Sequence, residues 1–367
     1  MSKKGLQLES ITSWLKAERP IMISGPCSAE TEEQMIATAK QIAATGKVHA
    51  LRAGIWKPRT RPGQYEGAGE EGLKWLIQAK KETGLPVTTE VANAAHVEAC
   101  LKAGVDILWI GARTTVNPFS VQEVADSLKG VDIPVMIKNP INPDLELWIG
   151  AFERLNKAGI TKMAAIHRGF SSFEKGPFRN APMWDLAIEM KTRIPELDML
   201  CDPSHIAGNR DLISFVSQKA LDLDMVGLMI ESHINPDAAW SDAKQQVTPL
   251  ILGKIISELV VRTVSTDNKA FKDTLSLLRE QIDQLDDEIM SKMASRMKIS
   301  EKIGQYKKEN NVTILQVNRW EEIVQTRVSL GKAMGMDVGF TRDLLRLIHH
   351  ESIQVQEKIM NATEERV

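Results

Sequence analysis

Two patterns of apolar residues divide the chain. As far as about residue 264, short runs rich in Ile, Val, Met and Leu alternate with stretches whose apolar positions recur every three or four residues. The runs predict strands at 21–25, 49–54, 86–91, 107–111, 134–138, 163–167, 199–202 and 227–231. The stretches predict amphipathic helices, for example at 33–44, 144–158, 211–223 and 248–264. Eight strand-helix units predict a (β/α)8 TIM barrel, since a doubly wound open sheet would rarely need so many.

Beyond residue 264 the alternation gives way to a purely helical pattern. Ser265, Thr266, Asp267 and Asn268 offer helix-capping side chains, and 269–308 reads as one helix, interrupted by no proline and by Gly304 alone. Leu275, Leu278, Ile282, Leu285 and Ile289 recur at alternating spacings of three and four, as in a helix packed along its length. Such a helix spans roughly 60 Å. Two shorter helices near 318–332 and 340–360 cannot cover it, so a partner chain is expected. The predicted organisation is a barrel at 1–264 and an all-α, three-helix domain at 265–367 that dimerises.

Charge narrows the chemistry. The 46 basic and 48 acidic residues leave a formal net charge of −2, which lacks the broad positive field of a nucleic-acid binder. Any anion site must therefore be a local cluster. No apolar run approaches the roughly 18 residues of a membrane span, and the start MSKKGLQLES lacks the apolar core of a signal peptide, which predicts a soluble, cytoplasmic protein without a membrane partner. Cys27, Cys100 and Cys201 have no paired spacing, so no disulfide framework is expected.

Barrel enzymes build their sites at the C-terminal ends of the strands. Here those ends carry Cys27, Arg52 with Lys57, Glu90, Arg113, Lys138, Arg168, His205 and Glu231. One subset is basic: Arg52, Lys57, Arg59, Arg113, Lys138 and Arg168. Gathered at one mouth, these cations repel each other unless anions fill the space, which points to phosphate or carboxylate substrates. The alternative is a set of separate surface ion pairs. A second subset, Cys27, His205, Glu231 and Asp242, offers one sulfur, one nitrogen and two carboxylates. That mixture suits a divalent Mn, Fe, Co or Zn ion, unless each residue is merely structural.

Other features read more plainly. Residues 67–72 fit GxGxxG but do not close a strand, so they are read as a flexible active-site loop rather than a dinucleotide site. Cys100 reads as core, Cys201 as core or as support behind the site, and His233 and Trp240 as packing or orienting residues.

The motifs GPCSAE (25–30), LRAGIWKPRT (51–60), IGAR (110–113), IKNP (137–140), HRGF (167–170), DPSH (202–205) and MIESH (229–233) with Ser241-Asp242 resemble 3-deoxy-D-arabino-heptulosonate 7-phosphate (DAHP) synthases of type Iβ. The resemblance covers residues 20–262 and implies condensation of phosphoenolpyruvate with erythrose 4-phosphate, the first step of the shikimate pathway. It further implies Cys27, His205, Glu231 and Asp242 as metal ligands, and Arg52, Lys57, Arg113, Lys138 and Arg168 around phosphoenolpyruvate. Lys57, Pro58, Arg59 and Thr60 would receive erythrose 4-phosphate, with Lys57, Cys27 and His205 nearest the chemistry and Lys57 the candidate for proton transfer. The rival is the sister synthase that takes arabinose 5-phosphate to 3-deoxy-D-manno-octulosonate 8-phosphate, whose loop normally lacks KPRT.

The C-terminal stretch resembles the all-helical chorismate mutases over residues 270–360. LLREQIDQLDDEI (277–289), ASRMKISEKIGQYKKE (294–309), NRW (318–320) and SIQVQ (352–356) carry that likeness. It implies chorismate and prephenate binding by Arg279, Arg296, Lys307, Arg319, Ser352 and Gln356. The rearrangement needs no metal or nucleophile, so a site of cations and amides suffices. Arg279 precedes Lys307 by 28 residues, about 42 Å along a helix, so Arg279 must come from a partner chain if both touch one ligand. Gln316 and Trp320 stand where many members have acidic residues, and tryptophan accepts no hydrogen bond. Several reactions separate the two activities, so the fusion reads as regulatory, with prephenate a product and an inhibitor of the barrel. A noncatalytic sensor and dimerisation module is the competing reading of this domain.

Overall fold

Eight parallel strands close on themselves in sequence order: β1 (Ile21–Gly25), β2 (Ala50–Arg52), β3 (Val87–Val91), β4 (Ile107–Ile110), β5 (Val135–Lys138), β6 (Met163–His167), β7 (Met199–Cys201) and β8 (Gly227–Glu231). The computed structural model describes residues 5–58, 63, 65–173, 176–263 and 265–361. Contacts divide the chain into two compact units, Met1–Val264 and Ser265–Val367.

The helices of the first unit are α1 (Ile11–Leu15), α2 (Glu32–Ala44), α3 (Glu70–Thr83), α4 (Ala94–Ala103), α5 (Ala112–Thr115), α6 (Pro118–Ser127), α7 (Leu145–Lys157), α8 (Trp184–Arg193), α9 (Pro203–Ala207), α10 (Ile213–Asp222) and α11 (Pro249–Glu258). Side chains cap several where the chain turns inward: Thr31 accepts from Gln34 N, Asn93 from His96 N and Asp144 from Leu147 N. The strands are buried on both faces, which is why they read as continuous apolar runs rather than alternating ones. Ile21, Ile23, Trp109, Met136, Ile166 and Met229 fill the barrel interior, while Met22, Leu108, Ile137 and Leu228 pack outward against the helices. Helix α1 stops the N-terminal end: Ile11 joins the interior cluster, and Asp198 accepts 2.7 Å hydrogen bonds from Ser10 Oγ and Ile11 N.

Two expectations need correction. The last barrel helix ends at Glu258, not 264, because Gln218 captures Val260, accepting from its N–H at 2.9 Å and donating to its carbonyl at 3.0 Å. The 67–72 segment is not a loop throughout: Glu70 opens α3, and Gly69 N donates to Ile55 O at 3.2 Å.

The second unit contains α12 (Lys269–Glu309), α13 (Val317–Ala333) and α14 (Val338–Asn361). Asn268 caps α12, accepting from Phe271 N at 3.1 Å. Helices α12 and α14 approach closely at Gly304, where an added Cβ would lie 3.1 Å from Gln356 Cα. Along α12, Leu278, Ile282, Leu285 and Ile289 are each more than half exposed.

Candidate active sites

The barrel mouth is built around a buried charge network. Arg52, 1% exposed at the end of β2, donates to Glu231 Oε1 at 3.0 Å and to Cys27 O at 3.2 Å, and its guanidinium lies 4.8 Å from the Trp109 ring centre. Lys138, 4% exposed at the end of β5, pairs with Asp202 at 2.7 Å. These cations are no scatter of surface pairs. Burial opposes the charge on Asp202, yet His205 when it carries its proton, and Lys138, hold its carboxyl well below the usual carboxylate range.

Arg168 differs from both. It is 8% exposed, and among the described residues no carboxylate lies within ion-pair distance of it. Burial pulls its pKa down to about 10, Asp202 opposes the shift, and Arg179 and Arg113 add to it. Lys57, Pro58, Arg113, Lys138, Arg168 and Arg179 line one cavity with His205 and Asp242. A buried guanidinium facing other cations without an acidic partner is a seat for an anion. Arg59 and Thr60 lie outside the described residues.

The sulfur and oxygen donors meet beside this seat. One ligand atom each from Cys27, Glu231 and Asp242 lies within 4.8 Å of the others. His205, on α9, stands at their edge with Nε2 3.8 Å from Glu231 Oε1. Its Nδ1 is 2.7 Å from Asp202 Oδ2, at an angle outside hydrogen-bond geometry. Burial lowers the His205 pKa and favours the neutral imidazole, the form that ligates metals. Burial, with Glu231 adding to it, pushes the Cys27 thiol up to about 12. Such a thiol becomes a thiolate only beside a strong cation, so the donor set fits a divalent metal ion. Lys57 Nζ contacts Cys27 Sγ at 3.0 Å and Cys27 O at 3.1 Å. Burial works against its charge, but Cys27 as a thiolate, with Glu231, outweighs that and raises its pKa.

Sequence reasoning missed Trp109, Asn139, Asp202, Arg179 and Gln245 as parts of this mouth. Asn139 Oδ1 accepts from Arg168 N at 2.7 Å, and its position inside IKNP was a usable signal. Arg179 lies between the elements, where periodicity carries no information. Cys201 and Cys100 are both core, and His233 sits 3.4 Å from Glu30, outside the donor set.

In the helical unit four of the six expected residues share one region. Arg296 donates to Ser352 Oγ, Lys307 donates to Ile314 O at 2.5 Å, and Gln356 is buried beside Gly304 with Oε1 lacking a partner. Burial lowers the pKa values of Arg296 and Lys307. Arg319 is exposed and pairs with Glu322 at 2.6 Å, while Arg279 is exposed and makes no polar contact within the described chain. His349 was not anticipated. It stacks on Trp320 with ring centres 4.0 Å apart, and burial, then Arg296 and Lys307, lowers its pKa.

A parallel barrel that gathers cations beside a cluster of sulfur and carboxylate donors at its C-terminal mouth is suited to bind small anions next to a metal ion. The model of the DAHP synthetase I family matches residues 15–265, and that of chorismate mutase type II matches residues 278–357. A phospho-2-dehydro-3-deoxyheptonate aldolase of Thermotoga maritima is 32% identical over 65% of this chain and 68% of its own length. A 2-dehydro-3-deoxyphosphooctonate aldolase of Polaromonas naphthalenivorans is 27% identical over 62% of this chain and 84% of its own. The crystal structure of the Thermotoga maritima DAHP synthase superposes with a TM-score of 0.58, covering 65% of this chain and 67% of that one. The chain belongs to the DAHP synthetase I family, and its C-terminal unit matches chorismate mutase type II over residues 278–357. Among the described residues no helix is long and apolar enough to cross a membrane.

Proposed function

We propose that the barrel joins phosphoenolpyruvate to erythrose 4-phosphate, releasing phosphate, and that the helical unit converts chorismate to prephenate. The observation that carries the first part is Arg168, buried with no acidic partner among the described residues, beside Arg113 and next to the Cys27–Glu231–Asp242 donors. In this reading Arg113 and Arg168 take the phosphate of phosphoenolpyruvate, and Arg52 and Lys138 stabilise its carboxylate. The methylene carbon of phosphoenolpyruvate then bonds to the aldehyde carbon of erythrose 4-phosphate, water adds to the carbon that bears the phosphate ester, and phosphate leaves as that carbon becomes the ketone. Cys27, His205, Glu231 and Asp242 would hold a divalent Mn, Fe, Co or Zn ion, which when bound polarises the aldehyde as a Lewis acid. Lys57, between the donors and Pro58, is positioned to give a proton to the aldehyde oxygen. Pro58, Arg59 and Thr60 would receive the sugar phosphate.

A condensation assay on the full chain with erythrose 4-phosphate or arabinose 5-phosphate tests this, with a parallel chorismate assay. Chelator should abolish condensation and leave prephenate formation intact. Preference for arabinose 5-phosphate would assign the barrel to the phosphooctonate reaction instead.

For the helical unit, Arg296, Lys307, Ser352 and Gln356 support chorismate binding, with Arg279 supplied by a second copy across the exposed face of α12. A homodimer with composite sites follows. The Trp320–His349 stack, where a glutamate would otherwise meet substrate, favours a second reading in which the unit binds ligand without turnover. Regulation is part of the proposal: prephenate held by the helices restrains the barrel. Added prephenate should inhibit condensation by the intact chain, and deleting residues 265–367 should remove that inhibition. Equal sensitivity in both would refute it.

A further inference from the structure

Both carboxylates of the donor set are tied back by side chains: Arg52 donates to Glu231 Oε1 at 3.0 Å, and the ties to Asp242 Oδ1 and Glu231 Oε2 run to or through Arg179. Arg179 Nη1 donates to Asp242 Oδ1 at 2.9 Å, while Asp242 Oδ2 accepts from Cys27 Sγ at 3.4 Å. The same Arg179 nitrogen donates to Gln245 Oε1 at 2.6 Å, and Gln245 Nε2 donates to Glu231 Oε2 at 2.7 Å. Gln245 is 1% exposed. Its neighbour Gln246 accepts from Cys27 N at 2.9 Å. One short segment, 242–246, therefore carries one of the four donors, touches two others and is itself fastened by Arg179.

The seat of Arg179 is equally constrained. Its N–H donates to Ala207 O at 3.2 Å, and Asn180 donates from its backbone to Ile206 O at 3.2 Å and from its side chain to His205 O at 2.6 Å. Gly208 makes room: at φ +65 it accepts the left-handed conformation, and an added Cβ would lie 2.3 Å from Arg179 Cβ. Asp242 also has a left-handed backbone (φ 47, ψ 37), outside any regular element, so its carboxylate direction depends on its side-chain partners. Arg179 is nearly half exposed, and a surface ion pair of this kind contributes little to stability. Its placement serves the site.

We propose that Arg179, acting directly on Asp242 and through Gln245 on Glu231, is the positioning residue that holds these carboxylates in metal-ligating orientation. This rests on the reading that the donor set takes a divalent ion. Two physical effects of removing Arg179 oppose each other. Loss of its positive charge would by Coulomb attraction alone tighten cation binding. Loss of its hydrogen bonds frees Asp242 directly and releases the Gln245 amide that holds Glu231 Oε2, while Arg52 keeps Glu231 Oε1; partners that orient ligands in this way typically govern metal affinity by 10- to 100-fold. Positioning is expected to dominate, because one bond runs straight to Asp242 and the other fixes the Gln245 that holds Glu231.

The test is titration of the metal-stripped full chain with Co²⁺, read by thiolate-to-cobalt absorption. Arg179→Met and Gln245→Leu should each raise the Co²⁺ dissociation constant about 10- to 100-fold over wild type. Arg179→Gln, which retains a donor but no charge, should recover part of the loss. Circular dichroism confirms that each variant is folded, and the exposed position of Arg179 makes folding of its variants secure. Wild-type binding with equal or tighter binding by Arg179→Met overturns the positioning role and leaves the metal site standing. No Co²⁺ signal in wild type overturns the metal site itself, and the proposal with it.

Discussion

At the scale of single residues, most of the barrel's buried charges have partners brought to them, and Arg168 is the exception that leaves room for an anion. Arg52, Lys138, Asp202 and Glu231 are each nearly inaccessible, yet each meets an opposite charge at 3.0 Å or less. His167 meets the same requirement differently, by remaining neutral between Phe170 and Trp184. Burial pushes its pKa down to about 3 from 6.5, against a weaker pull from the Pro182 carbonyl. Because the folded value lies below the unfolded one, the unfolded chain takes up the proton first. The stability tied to His167 is thus complete above about pH 6.5 and is lost as pH falls toward 3. His167→Phe should flatten the acid limb of the barrel's melting temperature against pH over that window. An unchanged limb would mean that His167 does not contribute to it. The His167 identity was readable in HRGF, but its neutrality was not, since that depends on rings contributed from beyond β6.

At the scale of elements, the close contact of α12 with α14 is set by Gly304. An added Cβ there would meet both Cα and Cγ of Gln356 at 3.1 Å. Gly304→Val should push α14 outward, costing about 1–3 kcal/mol of helical-unit stability by overpacking. Prephenate formation should fall with it because Ser352 and Gln356 ride on α14, while metal-dependent condensation persists. Assaying both activities on one preparation checks this, and retained mutase turnover would show that α14 can shift freely. The sequence predicted α12 to within a residue at its C-terminal end, because caps and periodicity are local signals. It overextended the last barrel helix, because the Gln218 contact that ends α11 comes from 42 residues away.

At the scale of the whole molecule, the exposed Leu278, Ile282, Leu285 and Ile289 on α12 ask for a second copy. If the mutase sites are shared, chains carrying Arg279→Ala and chains carrying Arg296→Ala should each be inactive alone. Mixed equally, they should regain about a quarter of wild-type turnover, because half the dimers then hold one intact site. Recovery absent from demonstrably mixed dimers would place Arg279 outside the site. Within one chain, sequence determined the alternation that closes the barrel, the helical tail, and most residues of both candidate sites. Strand spacing alone directs Arg52, Lys138, Arg168 and Glu231 to one mouth, since parallel strands of a closed barrel all end on the same side. Only the tertiary structure decided how those residues are held. Arg179 reaches Asp242 and Gln245 across 63 and 66 residues, and His349 reaches Trp320 from another helix. Such pairings leave no trace in local periodicity, because hydrogen-bond and stacking geometry is set when distant segments pack together, not by neighbours along the chain.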